Sequence, residues 1–527
     1  MYYPNIDKIN SKDEVIKENL AIQLYGKRIY EGQTVGEYLL EFLLVFLGCN
    51  DGKGGFNLKH GLNDQVKYIT NPNIGLKRFI FFENSKNENR HDIDRMASDE
   101  LNRLLMENID SEKFSVNQVL YQIKDLFYGF NLITKQRSWF AQSMMPLCKD
   151  LVFCEAQNNT SRKRMDYYPE ESSKINSSVD KDFAFTKHSF LGRGGEVYYM
   201  HLLQGLQEMT DASESLKIAV ELDNRIRGLL SSFPHFEVLS KYIQNKWNDY
   251  LTEHMHKKVS SESKNWVQEY HVQKMDCHWI KSNYVKAAPY SIKELRNILS
   301  STINPLEKLE LINIGIILQM FRLMINEAYF VATGCNENKP VWLVQVPAID
   351  KVNPKVKMMA VKYYSKIENY MTNALSIQLD NQKAMSSDES SDDRNADIKK
   401  LKDAYKNSHK LMRKIGKDIG LITPITGQNM RFTITDDIMR YLVLSLIEPS
   451  TSITLDSFLA KLYEHYGIVI REEEYTRHYR SLDSNEVYAP SLIKNLEEFT
   501  IQLRNNGYLK ELSDATAIVM NPYDKED

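Results

Sequence analysis

The stretch TLDSFLAKLYEHYG, from Thr454 to Gly467, carries its own start, stripe and stop. Thr454 is a side chain that can accept from the free N–H groups of a first helical turn. Leu455, Phe458, Leu459, Leu462 and Tyr463 recur at the spacing that puts them on one helical face. Gly467 stands where a helix ends in the left-handed conformation. The same reading extends outward. Thr435 precedes Asp436 and Asp437 and then Ile438, Tyr441, Leu442 and Leu446, a second capped amphipathic helix. Pro490-Ser491 opens a third, with Leu492, Leu496, Phe499 and Leu503 and a stop at Gly507. A short strand is expected over Ile468–Ile470, and a two-stranded ribbon over Tyr508–Leu512 and Thr516–Met520, turning at Ser513-Asp514.

Helix, helix, short strand, helix, hairpin is an order that resembles a winged-helix domain. A DNA-reading winged helix needs Lys and Arg for phosphates and amide or guanidinium groups for base edges. The third helix offers Lys494, Asn495, Gln502, Arg504 and Asn505, diluted by Glu497 and Glu498. Residues 421–527 hold 10 Lys+Arg against 17 Asp+Glu, a net of −7. A polyanion is repelled by such a unit unless its cations segregate. A protein-binding winged helix is the expectation, with DNA as the alternative.

The whole chain follows the same helical pattern. It has 527 residues, with only 22 Gly and 14 Pro, and 42% hydrophobic residues. Helix breakers are scarce, so the fold class expected is mainly α, multidomain, with small β insertions. Collagen-like, wholly disordered and disulfide-scaffold classes are excluded. Helices are expected after Thr34, over residues 116–128, after a Ser291/Glu294 capping box, and from Pro305 onward. Strands are expected at Phe79–Phe82 and Val341–Val346. The boundaries read as 1–156, an exposed linker 157–182, 183–385, an acidic disordered linker 386–397, a basic helix 398–420 and the C-terminal unit 421–527.

The charge of 67 Lys+Arg against 70 Asp+Glu gives no global drive towards nucleic acid or membrane. Five cysteines without C-x-x-C spacing suit a reduced, cytoplasmic compartment. The apolar stretches Leu39–Leu47 and Leu311–Ile325 are broken by polar residues and read as core helices, so no membrane partner is expected.

Several local patterns bear on function. Residues 396–420 gather Lys399, Lys400, Lys402, Lys406, Lys410, Arg413, Lys414 and Lys417 against three Asp. They form either the solvated side of a packed helix or a grip on nucleic acid, and their apolar phase drifts after Tyr405. Gly192-Arg193-Gly194-Gly195 leads into a helix and could aim backbone N–H groups at an anion. A tight turn needing positive φ explains its glycines equally well. Gly52-Lys53-Gly54-Gly55 fails Walker spacing and reads as a flexible loop. Arg162, Lys163 and Arg164, with Tyr167 and Tyr168, could stack on and pair with single-stranded nucleic acid.

His254, His256, His271, Cys277 and His278 lack the two close pairs a zinc site needs. His91-Asp92 is the doublet of metal-dependent phosphohydrolases without its partners, so a hydrolase with a dispersed active site stays as a further alternative. No cofactor, metal or catalytic residue is expected.

FLGRGGEVYYMH from Phe190 to His201, WFAQSMMPL from Trp139 to Leu147, and FLAKLYEHYG from Phe458 to Gly467 resemble large non-catalytic subunits of bacterial anti-phage defence operons, of the phosphorothioation-dependent or methylation-associated restriction kind. The resemblance implies a scaffold or interaction subunit working beside a separate helicase or nuclease, in a complex on invading DNA. It carries over no functional residue.

Overall fold

The computed structural model describes residues 2–3, 19–26, 33–59, 64–70, 73–81, 92–127, 147–152, 157–158, 183–184, 194–255, 273–277, 280–335, 339–347, 353–385, 394–480, 491–513 and 516–526. Its helices, in chain order, are α1 Leu20–Tyr25, α2 Val35–Gly48, α3 Ile74–Phe81, α4 Asp92–Glu107, α5 Val116–Leu126, α6 Gly194–Gln207, α7 Ala212–Leu230, α8 Pro234–Met255, α9 Ala288–Leu299, α10 Pro305–Thr333, α11 Pro354–Met385, α12 Arg394–Tyr405, α13 Leu411–Asp418, α14 Asp436–Leu446, α15 Leu455–Tyr466, α16 Glu472–Arg480 and α17 Ser491–Asn505. The chain is mainly helical, with small sheets, as the composition implies.

The axis of the body is α10. Asn304 Oδ1 accepts from Leu306 N at 2.9 Å and Pro305 fills the first turn. Its residues are apolar on every side, so it is enclosed: α11 and α2 pack along it, and α6 and α9 cover other faces. By length and composition it is the one candidate span among the described residues, and most of that window is buried inside the protein. A helix apolar all round belongs in a core when neighbours cover it. Helix α2 starts as the sequence indicates, with Glu37 Oε2 accepting from Thr34 N at 2.9 Å.

Two sheets frame the C-terminal half. The first joins β1 Trp342–Gln345, β2 Ile422–Thr423, β3 Arg431–Thr433 and β5 Ile468–Val469 in the order β5-β1-β3-β2, with β1 parallel to both neighbours. Every residue of β1 is buried. The expected strand at 341–346 is therefore the centre of a mixed sheet and not a peripheral insertion. Its strands come from both sides of residues 386–420, and one continuous core runs from Leu20 to Val519. Residues 394–397, read as linker, form the first turn of α12; residues 386–393 lie outside the described residues.

The second sheet holds β4 Ser452–Thr454, β6 Leu509–Ser513 and β7 Thr516–Met520, in the order β4-β7-β6, all antiparallel. The hairpin β6–β7 is where the sequence places it. The third strand, β4, was not legible, because Ser452-Ile453-Thr454 is too short and polar to show a period of two. The expected strand at 468–470 exists, yet it pairs with β1 in the other sheet.

Phe79–Phe82 was expected as a strand and is a correction: residues 79–81 end helix α3, packed on α8. A short apolar run cannot distinguish a buried strand from a buried helical turn.

Candidate functional site

The densest chemistry lies where α9 and α10 meet the C-terminal unit. Helix α9 presents Ser291 and Glu294, α10 presents Gln319 and Arg322, and the end of α15 presents His465 and Tyr466. All six are buried. Glu294 Oε1 lies 2.6 Å from His465 Nδ1 and 3.4 Å from Arg322 Nη1. Its Oε2 accepts from Tyr466 Oη at 2.6 Å and Tyr441 Oη at 3.4 Å, and Gln319 Nε2 also donates to it.

Arg322 spends its Nη groups on four acceptors. Nη1 reaches His465 O at 3.2 Å besides Glu294, and Nη2 reaches Ala287 O at 3.3 Å and Ser291 Oγ at 2.7 Å. Its Nε–H has no acceptor among the described residues. His201 Nε2 closes the network at 2.7 Å from Ser291 Oγ.

Burial works against the Glu294 carboxylate, but Arg322, His465 and Tyr466 outweigh it and hold its pKa below the ordinary glutamate value. Burial, then the Arg322 charge, pushes His201 down to about 3, so it stays neutral.

Outside this network lies a cleft of about 200 Å3. Arg322 and His465 form part of its wall, with Tyr290, Lys286, Lys339, Asn326 and Glu327 around them. The Tyr290 ring lies 4.3 Å from that of His465, tilted by 41°, and its hydroxyl donates to Glu464 Oε1 at 3.1 Å. Arg322 Cζ and Lys339 Nζ lie 5.9 and 5.2 Å from the same Tyr290 ring. Burial, then the Arg322 charge, lowers the Lys339 pKa. Glu327 faces Lys281 at 3.9 Å and accepts from Asn283 at 3.2 Å.

A carboxylate that orients an imidazole is half of a nucleophile-activating relay. Here Glu294 is shared among five donors, and His465 Nε2 has no hydrogen-bond partner among the described residues. No group of His, Cys, Asp and Glu among the described residues could hold a metal ion. The geometry is that of a charged joint with a small cleft beside it.

The spacing of Ser291 and Glu294 predicts a capping box. They are a correction: α9 begins at Ala288 with Pro289 in its first turn, so both lie inside the helix and point into the network. The spacing of a capping box also puts two residues on one helical face, which is the role used here.

The Gly192–Gly195 anion site is answered from within the protein. Gly194 and Gly195 begin α6, and Gly195 N donates to Glu41 Oε2 at 3.0 Å, with Glu196 N at 3.4 Å. The anion at this helix start is a buried carboxylate of α2. The two glycines do not have positive φ. They are small because a Cβ on Gly194 would meet the Tyr38 ring at 2.0 Å, and one on Gly195 would meet Tyr38 O at 2.2 Å. Gly192 and Arg193 lie outside the described residues, as do Arg162, Lys163 and Arg164.

The Gly52–Gly55 loop is ordered by its own bonds. Its Gly52, Gly54 and Gly55 N–H groups donate to Gly48 O, Cys49 O and Phe46 O at 3.1, 2.8 and 2.9 Å, leaving none of these three for a phosphate. Of the histidine cluster only Cys277 has a described side chain, and it is buried; the side chains of His91 and Asp92 lie outside the described residues.

The basic helix is two helices joined by a π turn at Lys406–Lys410. The extra residue per turn explains the drift in phase after Tyr405, and it carries Asn407, Ser408 and His409 inward. Arg413 is bound to Glu368 by two bonds of 2.6 and 2.7 Å, Lys414 donates to Gln33 O at 2.7 Å, and Lys400 to Gln382 Oε1 at 3.1 Å. Lys417 is half-buried, and Lys399, Lys402, Lys406 and Lys410 are exposed.

No protein-family model matches the chain, and no curated protein or solved structure is significantly similar to it.

Proposed function

We propose that the chain is a non-catalytic interaction subunit whose C-terminal unit is a winged helix facing a polypeptide, serving beside a separate helicase or nuclease in a bacterial DNA-processing or anti-phage defence assembly. The order α14-β4-α15-β5-α16-α17-β6-β7, with its β4-β7-β6 sheet, supports the winged-helix reading, to which α16 is an addition. The observation that carries the choice of partner is the outer side of α17. Leu492, Asn495, Phe499 and Leu503 are buried, and Asn495 ties the helix down through Val346 N, Val344 O and Ile470 O at 2.8, 3.0 and 2.9 Å. The outward side shows Ile493 and Ile501, 56% and 43% exposed, with Lys494 and Glu497 beside them, and Leu512 is exposed on the hairpin. Arg504 is paired with Glu511. Exposed apolar residues among mixed charges suit a protein surface better than a phosphate backbone.

The test is isolation of the native complex from the host with wild type and with an Ile493→Glu, Ile501→Glu variant. Loss of a stoichiometric partner in the variant alone supports the reading. A partner held equally by both, or metal-dependent nuclease activity of the purified chain abolished by a point mutation, contradicts it.

A second reading, sequence-tolerant nucleic-acid binding, is favoured by one observation. Lys399 and Lys402 on α12 and Lys406 at the start of the π turn are exposed and have no carboxylate partner among the described residues. Counterion release would make such binding weaken steeply with salt, and each Lys→Ala change would lower the slope by about 1. An affinity indifferent to these three changes removes the second reading.

A further inference from the structure

The cleft beside the buried joint has a composition that the interaction role does not use. Its volume, about 200 Å3, is below the roughly 300–1,000 Å3 of pockets that take drug-sized ligands. Its occupant is therefore a small molecule or one end of a larger one. Among the described lining residues, Lys286, Arg322 and Lys339 carry positive charge and Glu327 alone carries a carboxylate. Glu327 is already turned to Lys281 and Asn283. Arg322 is held at both Nη groups, its Nε–H has no acceptor among the described residues, and the residue is 1% exposed. Lys339 Nζ lies 5.2 Å from the centre of the Tyr290 ring, half-buried, and donates to Glu464 O.

Glu294 counters Arg322 from within the joint, yet the Arg322 charge still acts against that of Lys339, and an anion between them offsets that repulsion. We propose that this cleft binds a small oxyanion, the carboxylate or phosphate group of a small molecule, between Lys339 and the guanidinium edge of Arg322, with Tyr290 and His465 as its wall. Tyr290 and Arg322 belong to α9 and α10, whereas His465 belongs to α15, so the bound anion bridges the body and the C-terminal unit. The ligand would set how firmly that unit is held, which is independent of which macromolecule the unit receives.

Calorimetric titration of the full chain at pH 7 and constant ionic strength tests this, with inorganic phosphate in one arm and citrate in the other. Saturable binding at one site per chain is expected in at least one arm, weakened at least tenfold by Lys339→Ala and retained by Lys339→Arg. Lys399→Ala, far from the cleft in sequence and on the exposed row of α12, should leave it unchanged. Binding in the phosphate arm alone assigns a phosphorylated ligand; binding in the citrate arm alone assigns a carboxylate. Should Lys339→Ala lose its helical circular dichroism, Lys286→Ala at the mouth replaces it, with a loss of at least threefold expected. No saturable binding in either arm overturns the proposal, as does equal binding by wild type and a folded cleft variant, or equal weakening by Lys399→Ala.

Discussion

The joint at Glu294 and the row at Lys399 both gather charges on helices, and they use them in opposite ways. At the joint, Glu294 and Arg322 are each 1% exposed and every carboxylate oxygen has donors. Along α12 and into the π turn that follows it, Lys399, Lys402 and Lys406 stand in solvent. Charge in water contributes little to a fold, because solvent screens it. Charge out of water must be matched, because desolvation is expensive, and once matched it specifies which surfaces meet. The first region holds the C-terminal unit to the body; the second is free to meet something else.

The largest effect is expected at the joint. Glu294→Ala leaves Arg322 buried without its countercharge and strips an acceptor from His465, Tyr466 and Gln319. A loss of about 3–5 kcal/mol is expected, read as a fall in the urea midpoint. A loss under about 1 kcal/mol would show that the network is not structural.

A smaller effect comes with acid. His201, with a folded pKa of about 3, stays neutral where an unfolded histidine, near 6.5, takes up a proton. The unfolded state therefore binds more protons between these values, and stability falls as pH falls through that window. Between pH 6.5 and 5 the cost from His201 is about 2 kcal/mol. His409, its pKa lowered first by burial, acts in the same direction. The depressed pKa of Glu294 adds its loss at still lower pH, as pH falls through the folded value. Urea midpoints that do not change between pH 7 and 5 would break the comparison.

The smallest effect is expected on the lysine row. Lys399→Ala, Lys402→Ala and Lys406→Ala together should change stability by no more than about 0.5 kcal/mol, since none is buried or paired among the described residues. A larger loss would mean that the row is part of the fold.

These two regions were unequally legible in the sequence. Helix α15, whose apolar stripe, cap and stop agree, could be read because local signals determine it; α14 and α17 were legible from their stripes, although Thr435 makes no capping bond on α14. The drift of phase after Tyr405 was visible as an anomaly, and the π turn is its cause. The joint was not visible. Ser291, Glu294, Gln319, Arg322, His201 and His465 are scattered over more than 260 residues, and only packing of α6, α9, α10 and α15 brings them together. Arg322 and Gln319 interrupting an apolar helix were the one available signal: a charge inside a core stretch needs a buried partner. The Gly194-Gly195 pattern leaves an anion site and a tight turn open; in the structure this helix start receives the chain's own Glu41 side chain, and neither glycine has positive φ.

The most direct test of the account is hydrogen exchange of the full chain. The C-terminal unit is built into the body through the Glu294 joint and the shared core. Amides of α14 and α15 should exchange as slowly as those of α10, and all three should speed up together in Glu294→Ala. A wild-type chain in which residues 436–466 open orders of magnitude faster than α10 would contradict it.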